Sequence, residues 1–509
     1  MNRVYKKDCE SYCEYTLPDY MGDVKKILSV NASAIPSGKF VGDGEVEYSG
    51  VVTYDVLYSD AEGKLTRLTA SSDYDLTLPT DTSTYIDSLA EPQIANLSTR
   101  LTGPRKLIAK AVVSNRITAS YEDAIETVGT AFAEGNTPEV AKKSVRLENL
   151  TYVSSPEREY AEEAERLTAT MPDQIEIIAT SGAVRVYEST PVENGVNVKG
   201  EIVITSIIRT DEQPPFAIKK NIPFDETVTF ENIESDMQTL FDGYLTSVTT
   251  GLAEDGEDTV VTVNAIAELV GIAGKNKDVE IITDAYLKDA DTDASYEDYS
   301  YSELVAMSAV EETVSLSIPR ADVGCEYIRN ILTMSADVRS LERRATQNGI
   351  ELSGDIALCG AACEINDDNN ESYVPVKLTA PFSVLLKTAV ELPADAEIEA
   401  RAAVVDVDCG IDPDVISAKC TLKIGYRVTK CASVRRMTEC NSIIGTEHSE
   451  RPHCITVYYP EDGESLFDIA KKFHTTGAKI AADNKLAEPT LSAMNSPDSV
   501  IGVKKLIIR

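Results

Sequence analysis

The chain has 509 residues, 43% of them apolar and 26% charged, which is too long for one core and too apolar for wholesale disorder. At about 100–200 residues per domain it should divide into three to five units. Its 48 basic residues against 84 acidic ones leave a net charge of -36, the wrong sign for a nucleic-acid or anionic-lipid partner. No stretch approaches the ~20 apolar residues of a membrane helix.

Residues Met1 to Tyr20 mix Lys6, Lys7, Asp8, Glu10 and Glu14 with no apolar run, so no secretory signal is read there and the expected compartment is the cytosol. The ten cysteines form no CxxC pair, which fits reduced, mostly buried thiols. Charge is uneven: from Glu450 to Arg509 acids and bases balance, so the whole excess lies upstream and a different module begins near 450.

Self-similarity organises the rest. Ile27-Leu28-Ser29-Val30, Ile177-Ile178-Ala179-Thr180 and Ile331-Leu332-Thr333-Met334 are each followed by a glycine, Gly50, Gly200 and Gly354, 23 residues after the opening isoleucine. Around each glycine apolar or small residues alternate, as in Val46, Tyr48, Gly50, Val52, Tyr54, Val56 and Tyr58, the period of a half-buried strand. A glycine inside such a strand marks a bulge or a close backbone approach. Each copy continues through a polar turn (Ser59 to Gly63, Thr210 to Pro215, Asn366 to Glu371) into a further extended stretch such as Phe224 to Phe230 or Val376 to Leu386. A later strand pair closes each unit: Ile94 to Leu101 with Leu107 to Ile117, Tyr244 to Gly251 with Thr259 to Leu269, and Ile398 to Asp408 with Val415 to Val428. Each unit is therefore expected to be a small β-sandwich or barrel, within 1–150, 151–290 and 291–445.

Between the copies, Ser155-Pro156 followed by Tyr160, Ala164, Leu167 and Met171 predicts a helical connector. Asp289 to Tyr301 reads as a solvated acidic linker and Tyr301 to Ala309 as a short helix. In the terminal module, 455–509, Ile455-Thr456-Val457 predicts a strand. Ser465 with Asp468 forms a capping-box start, and Leu466, Ile469, Ala470 and Phe473 give the stripe of a buried helix face. A second helix spans about Thr476 to Asp483, stopping at Asn484, and Ile501 to Ile508 returns as a strand.

This strand, two helices and strand, with Gly463-Glu464-Ser465-Leu466 at the turn and Asp468-Ile469-Ala470-Lys471-Lys472-Phe473 in the helix, resemble a LysM domain. The turn variant Glu464-Ser465 and the insertion Ala487 to Val500 depart from the usual pattern, both at the groove where LysM domains bind chitin-like sugars. The phrases VNVKGEIVITSIIRT and IPFDETVTF resemble SPOCS domains of endospore-forming bacteria. Three such repeats with a terminal LysM domain are similar to the SipL-like family of spore-coat morphogenetic proteins. The resemblance implies a mainly β chain of three SPOCS repeats plus a βααβ LysM domain. It also implies a non-enzymatic scaffold of the mother-cell cytoplasm, recruited to the forespore surface and coat. The implied partners are the coat-basement morphogenetic ATPase, bound through LysM, and other coat proteins. The other reading is a peptidoglycan or spore-cortex glycan-binding protein. By the same analogy Gly463, Glu464, Ser465, Leu466, Asp483, Asn484 and Ile501 line the binding groove, and Phe467 is either an exposed anchor or a packing residue.

No GxxxxGK, HExxH or GxSxG occurs, and His448, His453 and His474 are the only histidines, so no catalytic site or cofactor is expected. Asp406 and Asp408 read as a solvated pair in a carboxylate-rich chain. Asp289, Asp291 and Asp293 copy three EF-hand positions, yet Ala294 and Ser300 replace the required glycine and glutamate. Cys431, Cys440, His448, His453 and Cys454 could ligate zinc but match no standard spacing. Cys359 and Cys363 read as small buried hydrophobes on one strand face.

Overall fold

The computed structural model describes residues 2–122, 138–168, 170–323, 327–346, 349–365, 371–443, 446, 455–461, 464–486 and 504–509. The glycine-centred alternation produces long antiparallel strands. In β1 (Asn2–Thr16), β2 (Val24–Val41), β3 (Glu45–Asp60), β4 (Leu65–Pro79), β5 (Tyr85–Gly103) and β6 (Lys106–Tyr121), the strand orders are β2-β3-β4 and β1-β6-β5. Val46, Tyr48, Val52, Tyr54, Val56 and Tyr58 of β3 are all buried, packing with Leu107, Ala109, Ala111, Val113 and Ile117 of β6. Two open sheets thus pack face to face; neither closes into a barrel.

The same order recurs twice. β9 (Ile175–Val192), β10 (Gly195–Thr210) and β11 (Phe216–Thr229) form a meander that packs on a second sheet. That sheet contains β12 (Gln238–Asp255), β13 (Asp258–Tyr286) and β7 (Glu139–Ser154), with β8 (Arg158–Leu167) also on β13. After β14 (Thr292–Pro319) and a single turn, α1 (Arg320–Val323), the strands β15 (Ile328–Thr346), β16 (Gly349–Ile365) and β17 (Glu371–Leu386) form the third meander. It packs on β14-β19-β18, built with β18 (Ala396–Ile411) and β19 (Val415–Ser442).

The repeated glycines have one structural reason. Gly50, Gly200 and Gly354 lie directly across from Tyr74, Phe224 and Phe382. The aromatic ring reaches over each glycine: a Cβ on Gly200 would sit 2.5 Å from the Phe224 ring, one on Gly354 would be 3.3 Å from Phe382 and 2.8 Å from the Arg339 carbonyl, and one on Gly50 would overlap Tyr74. On its other side each glycine faces a β-bulge, at Ser37 of β2, Tyr187 of β9 and Ser340-Leu341 of β15.

Equivalent residues also join the units. Leu28, Ile178 and Leu332 from the three opening motifs meet Leu57, Ile207 and Ala361 in one buried cluster. Polar bonds tie the same junctions: Ser335 Oγ donates to Asn31 Oδ1 at 2.5 Å and Arg209 Nη2 to the Tyr373 hydroxyl at 2.6 Å. Glu399 accepts from Arg116 at 2.7 Å and from Arg427, which also reaches Glu148 at 3.3 Å, so all three units share one ion network. Asp406 and Asp408 hold Lys219 of the second unit at 2.7 and 2.5 Å, a structural use for that carboxylate pair.

Several expectations are corrected. The connector around Tyr160 is strand β8, not helix. Ala164 is bulged out of its pairing with β13, which moves the side-chain phase by one residue. Tyr160 and Leu167, seven apart and opposed in a plain strand, therefore both reach the interior, which imitates helical spacing. The expected linker and helix over 289–309 lie largely in β14. Two of their acids are opposed by arginines across the sheet: Glu297 and Asp298 stand opposite Arg436 and Arg435, whose guanidinium groups lie over the Tyr299 and Tyr296 rings. β7, which straddles position 150, pairs with β13 along its length.

Candidate functional site: the terminal module

The terminal module is built from β20 (Thr456–Tyr458), α2 (Leu466–Lys472), α3 (Gly477–Asn484) and β21 (Leu506–Ile508), with β20 antiparallel to β21. Ser465 Oγ accepts from the Asp468 amide at 3.1 Å while the Ser465 amide donates to Asp468 Oδ2 at 3.1 Å, the reciprocal cap that starts α2. Thr476 caps α3, and Lys485 ends it in the left-handed conformation with φ 51. Leu466, Ile469, Ala470, Ile480, Leu506 and Ile508 fill the core.

That core continues into the β body. Ala141 of β7 and Tyr286 at the end of β13 belong to the same cluster, and the Tyr286 ring meets Phe467 edge-on at 5.1 Å. The Tyr286 hydroxyl donates to the Thr475 carbonyl at 2.7 Å, and burial pushes that phenol well above its usual range. Lys471 Nζ reaches both oxygens of Asp284, at 2.8 and 2.6 Å. Asp284 also accepts from the Tyr296 hydroxyl at 2.8 Å; burial first and the carboxylate second push Tyr296 up to about 12. The module is therefore docked through its α2 face.

The expected groove residues fall into place as follows. Ser465, Leu466 and Phe467 are buried, Phe467 at 3% exposure, so it packs rather than standing out as an anchor. Asn484 turns inward: its Oδ1 accepts from the Ile507 amide at 2.6 Å and its Nδ2 donates to the Ile507 and Ile480 carbonyls. Asp483 keeps one buried oxygen, Oδ2, without a hydrogen bond. Glu464 stands at the rim, accepting from the Tyr458 hydroxyl at 2.7 Å and the Glu461 amide at 3.0 Å. Gly463 and Ile501 lie outside the described residues, as do the Ala487 to Val500 insertion and His448, His453 and Cys454.

Of the zinc candidates, Cys431 is exposed beside Ser302 and Cys440 is buried against the Ala285 carbonyl, nine positions away on β19. Among the described residues no three His, Cys, Asp or Glu side chains converge as a metal site, and the cysteines are free thiols. Sequence reasoning missed Ala141, Asp284 and Tyr286, which carry no local signal because the module residues they meet are remote in the chain: 187 positions separate Asp284 from Lys471, 189 separate Tyr286 from Thr475, and Ala141 is farther still from that module.

No helix among the described residues is long and apolar enough to cross a membrane. A comparison with curated proteins finds no match to the chain. Two family models do match: the SipL, SPOCS domain over residues 174–252, which covers β9 to β11 and all of β12 but its end, Ala253 to Asp255, and the LysM domain over residues 461–493. Both are non-catalytic domain families. The chain thus carries a SPOCS domain of the kind found in sporulation proteins and, near its carboxyl end, a LysM domain, a type associated with peptidoglycan binding.

Proposed function

We propose that this protein is a non-enzymatic scaffold of spore-coat or envelope assembly, in which three copies of the SPOCS unit form a rigid body. The LysM module binds the coat-basement morphogenetic ATPase. The observation that carries the reading is the joining of a SPOCS domain and a LysM domain in one chain. The copy number is supported by the recurring strand order and by the glycine under an aromatic ring in each unit. Coat proteins would meet surfaces held at fixed spacing, and several weak contacts so arranged gain avidity through effective concentration. Action would be in the mother-cell cytoplasm, with recruitment to the forespore surface.

The test is co-purification from sporulating cells with a tagged full chain and with a chain lacking 455–509. Retention of the ATPase by both would remove the LysM role, and retention by neither would remove the partner. A second reading, glycan binding, has the LysM match itself in its favour. Sedimentation with purified peptidoglycan tests it. The inward turn of Ser465, Leu466, Phe467 and Asn484 leaves the acidic, part-exposed Glu464 and Asp483 among the described groove positions, which supports the protein partner.

A further inference from the structure

The second unit has a feature its two counterparts lack. Where β9 bulges opposite Gly200, the unpaired residue is Tyr187, while the first unit has Ser37 and the third Ser340-Leu341 at that station. Bulges re-aim a side chain and gather next to functional sites. Here the bulge turns Tyr187, 48% exposed, toward a cleft of about 280 Å³ lined by β9, β12 and the neighbouring β14.

The walls define the ligand chemistry. Tyr187, Pro191, Met237, Phe241 and Met307 supply apolar surface; Glu188, Ser189, Gln238, Thr239 and Ser308 supply polar groups. No lysine or arginine lines the cleft, which disfavours phosphate, carboxylate or sulfate ligands. The Gln238 side-chain oxygen is fixed by the Met307 amide at 2.5 Å, which orients its NH₂ group and leaves those donors without an acceptor among the described residues. The Thr239 hydroxyl donates to the Ser189 carbonyl at 2.9 Å, and the Ser189 and Thr239 hydroxyls bond each other at 2.8 Å, so their remaining lone pairs are acceptors. The Glu188 carboxylate, which accepts from the Thr190 hydroxyl at 3.3 Å and is neutralised by Lys199 Nζ at 3.5 Å, adds acceptor lone pairs without a net charge on that wall. An aromatic face beside a fixed amide donor and several acceptors matches a ring with C–H groups on one side and hydroxyl or acetamido groups at its edge. The volume is just below the usual range of small-molecule pockets, roughly 300–1,000 Å³, and suits a short ligand.

We propose that this cleft is a second binding site, distinct from the LysM module, for a short neutral saccharide stacked on Tyr187 and hydrogen-bonded by Gln238. The site stands whether the LysM module takes a protein or a glycan.

Methionine-methyl NMR on the full 55.3 kDa chain reads the cleft separately, because Met237 and Met307 line it. Titration with N,N′-diacetylchitobiose should shift both methyls to saturation. Tyr187→Ala should weaken the interaction about two- to tenfold, an aromatic contact being worth about 0.5–1.5 kcal/mol, and Tyr187→Phe should retain it. Gln238→Glu keeps the acceptor for Met307 while removing the NH₂ donors, and should weaken binding even if Tyr187→Ala fails to fold. Silent Met237 and Met307 methyls would overturn the proposal. Shifts untouched by Tyr187→Ala and Gln238→Glu, or shifts produced equally by glucose 6-phosphate or by a short peptide, would overturn it too.

Discussion

Truncation of Leu332 to alanine tests whether the three β units are one body. Leu332 is fully buried in the cluster that also holds Leu28 and Leu57 from the first unit and Ile178 and Ile207 from the second. Leu→Ala changes in cores cost about 2–5 kcal/mol, more where the walls cannot collapse. Here the walls come from three separate meanders pinned by ion pairs, so we expect about 4 kcal/mol. Ile178→Ala opens the same space from the second unit. The double variant should therefore cost less than the sum of the singles by about 0.5–3 kcal/mol, because the two share a cavity. The assay is urea unfolding followed by circular dichroism and tyrosine fluorescence, since the chain has no tryptophan. A cost below about 1 kcal/mol, or strict additivity of the two changes, would refute the argument that the units share a core.

Three further outcomes follow from particular contacts. Gly200→Ala places a methyl against the Phe224 ring and the Arg185 carbonyl and should destabilise by about 1–3 kcal/mol or more in thermal unfolding, whereas a substitution at an open turn such as Gly44 meets no atom within 4 Å and carries only its backbone strain at φ +85. Burial raises the Glu148 carboxyl above its ordinary 4.5, with Arg427 opposing the shift; the raised value means the fold binds this proton more tightly than the unfolded chain does. That contribution to stability is full below 4.5 and fades as pH rises through the raised value, so Glu148→Gln should flatten the stability profile in that window. An unchanged profile would sink this reading. Tyr286→Phe removes the bond to the Thr475 carbonyl and Asp284→Asn the charge opposite Lys471; together they should increase hydrogen exchange in α2 without altering the three meanders.

Much of the β body was legible because strand alternation is local. Val46 through Tyr58, the glycine positions and the late hairpins appear where their period places them. The reciprocal cap of Ser465 and Asp468 was legible for the same reason. What escaped was non-local. β8 was disguised by the Ala164 bulge, which turns a strand's period into a helix's. β14 was disguised by acids whose compensating arginines are remote, Arg436 lying 139 residues after Glu297. The groove residues were placed by analogy on the module alone, and docking on Tyr286 and Asp284 decides which of its faces remain open.

The most direct test of the scaffold reading uses purified components. The immobilised full chain, and a chain lacking 455–509 whose β fold is verified by circular dichroism, are challenged with the purified coat ATPase and, separately, with purified peptidoglycan. The account predicts that the full chain retains the ATPase, that the truncated chain loses it, and that peptidoglycan does not compete. Equal capture by both chains, or capture abolished by peptidoglycan, would contradict it.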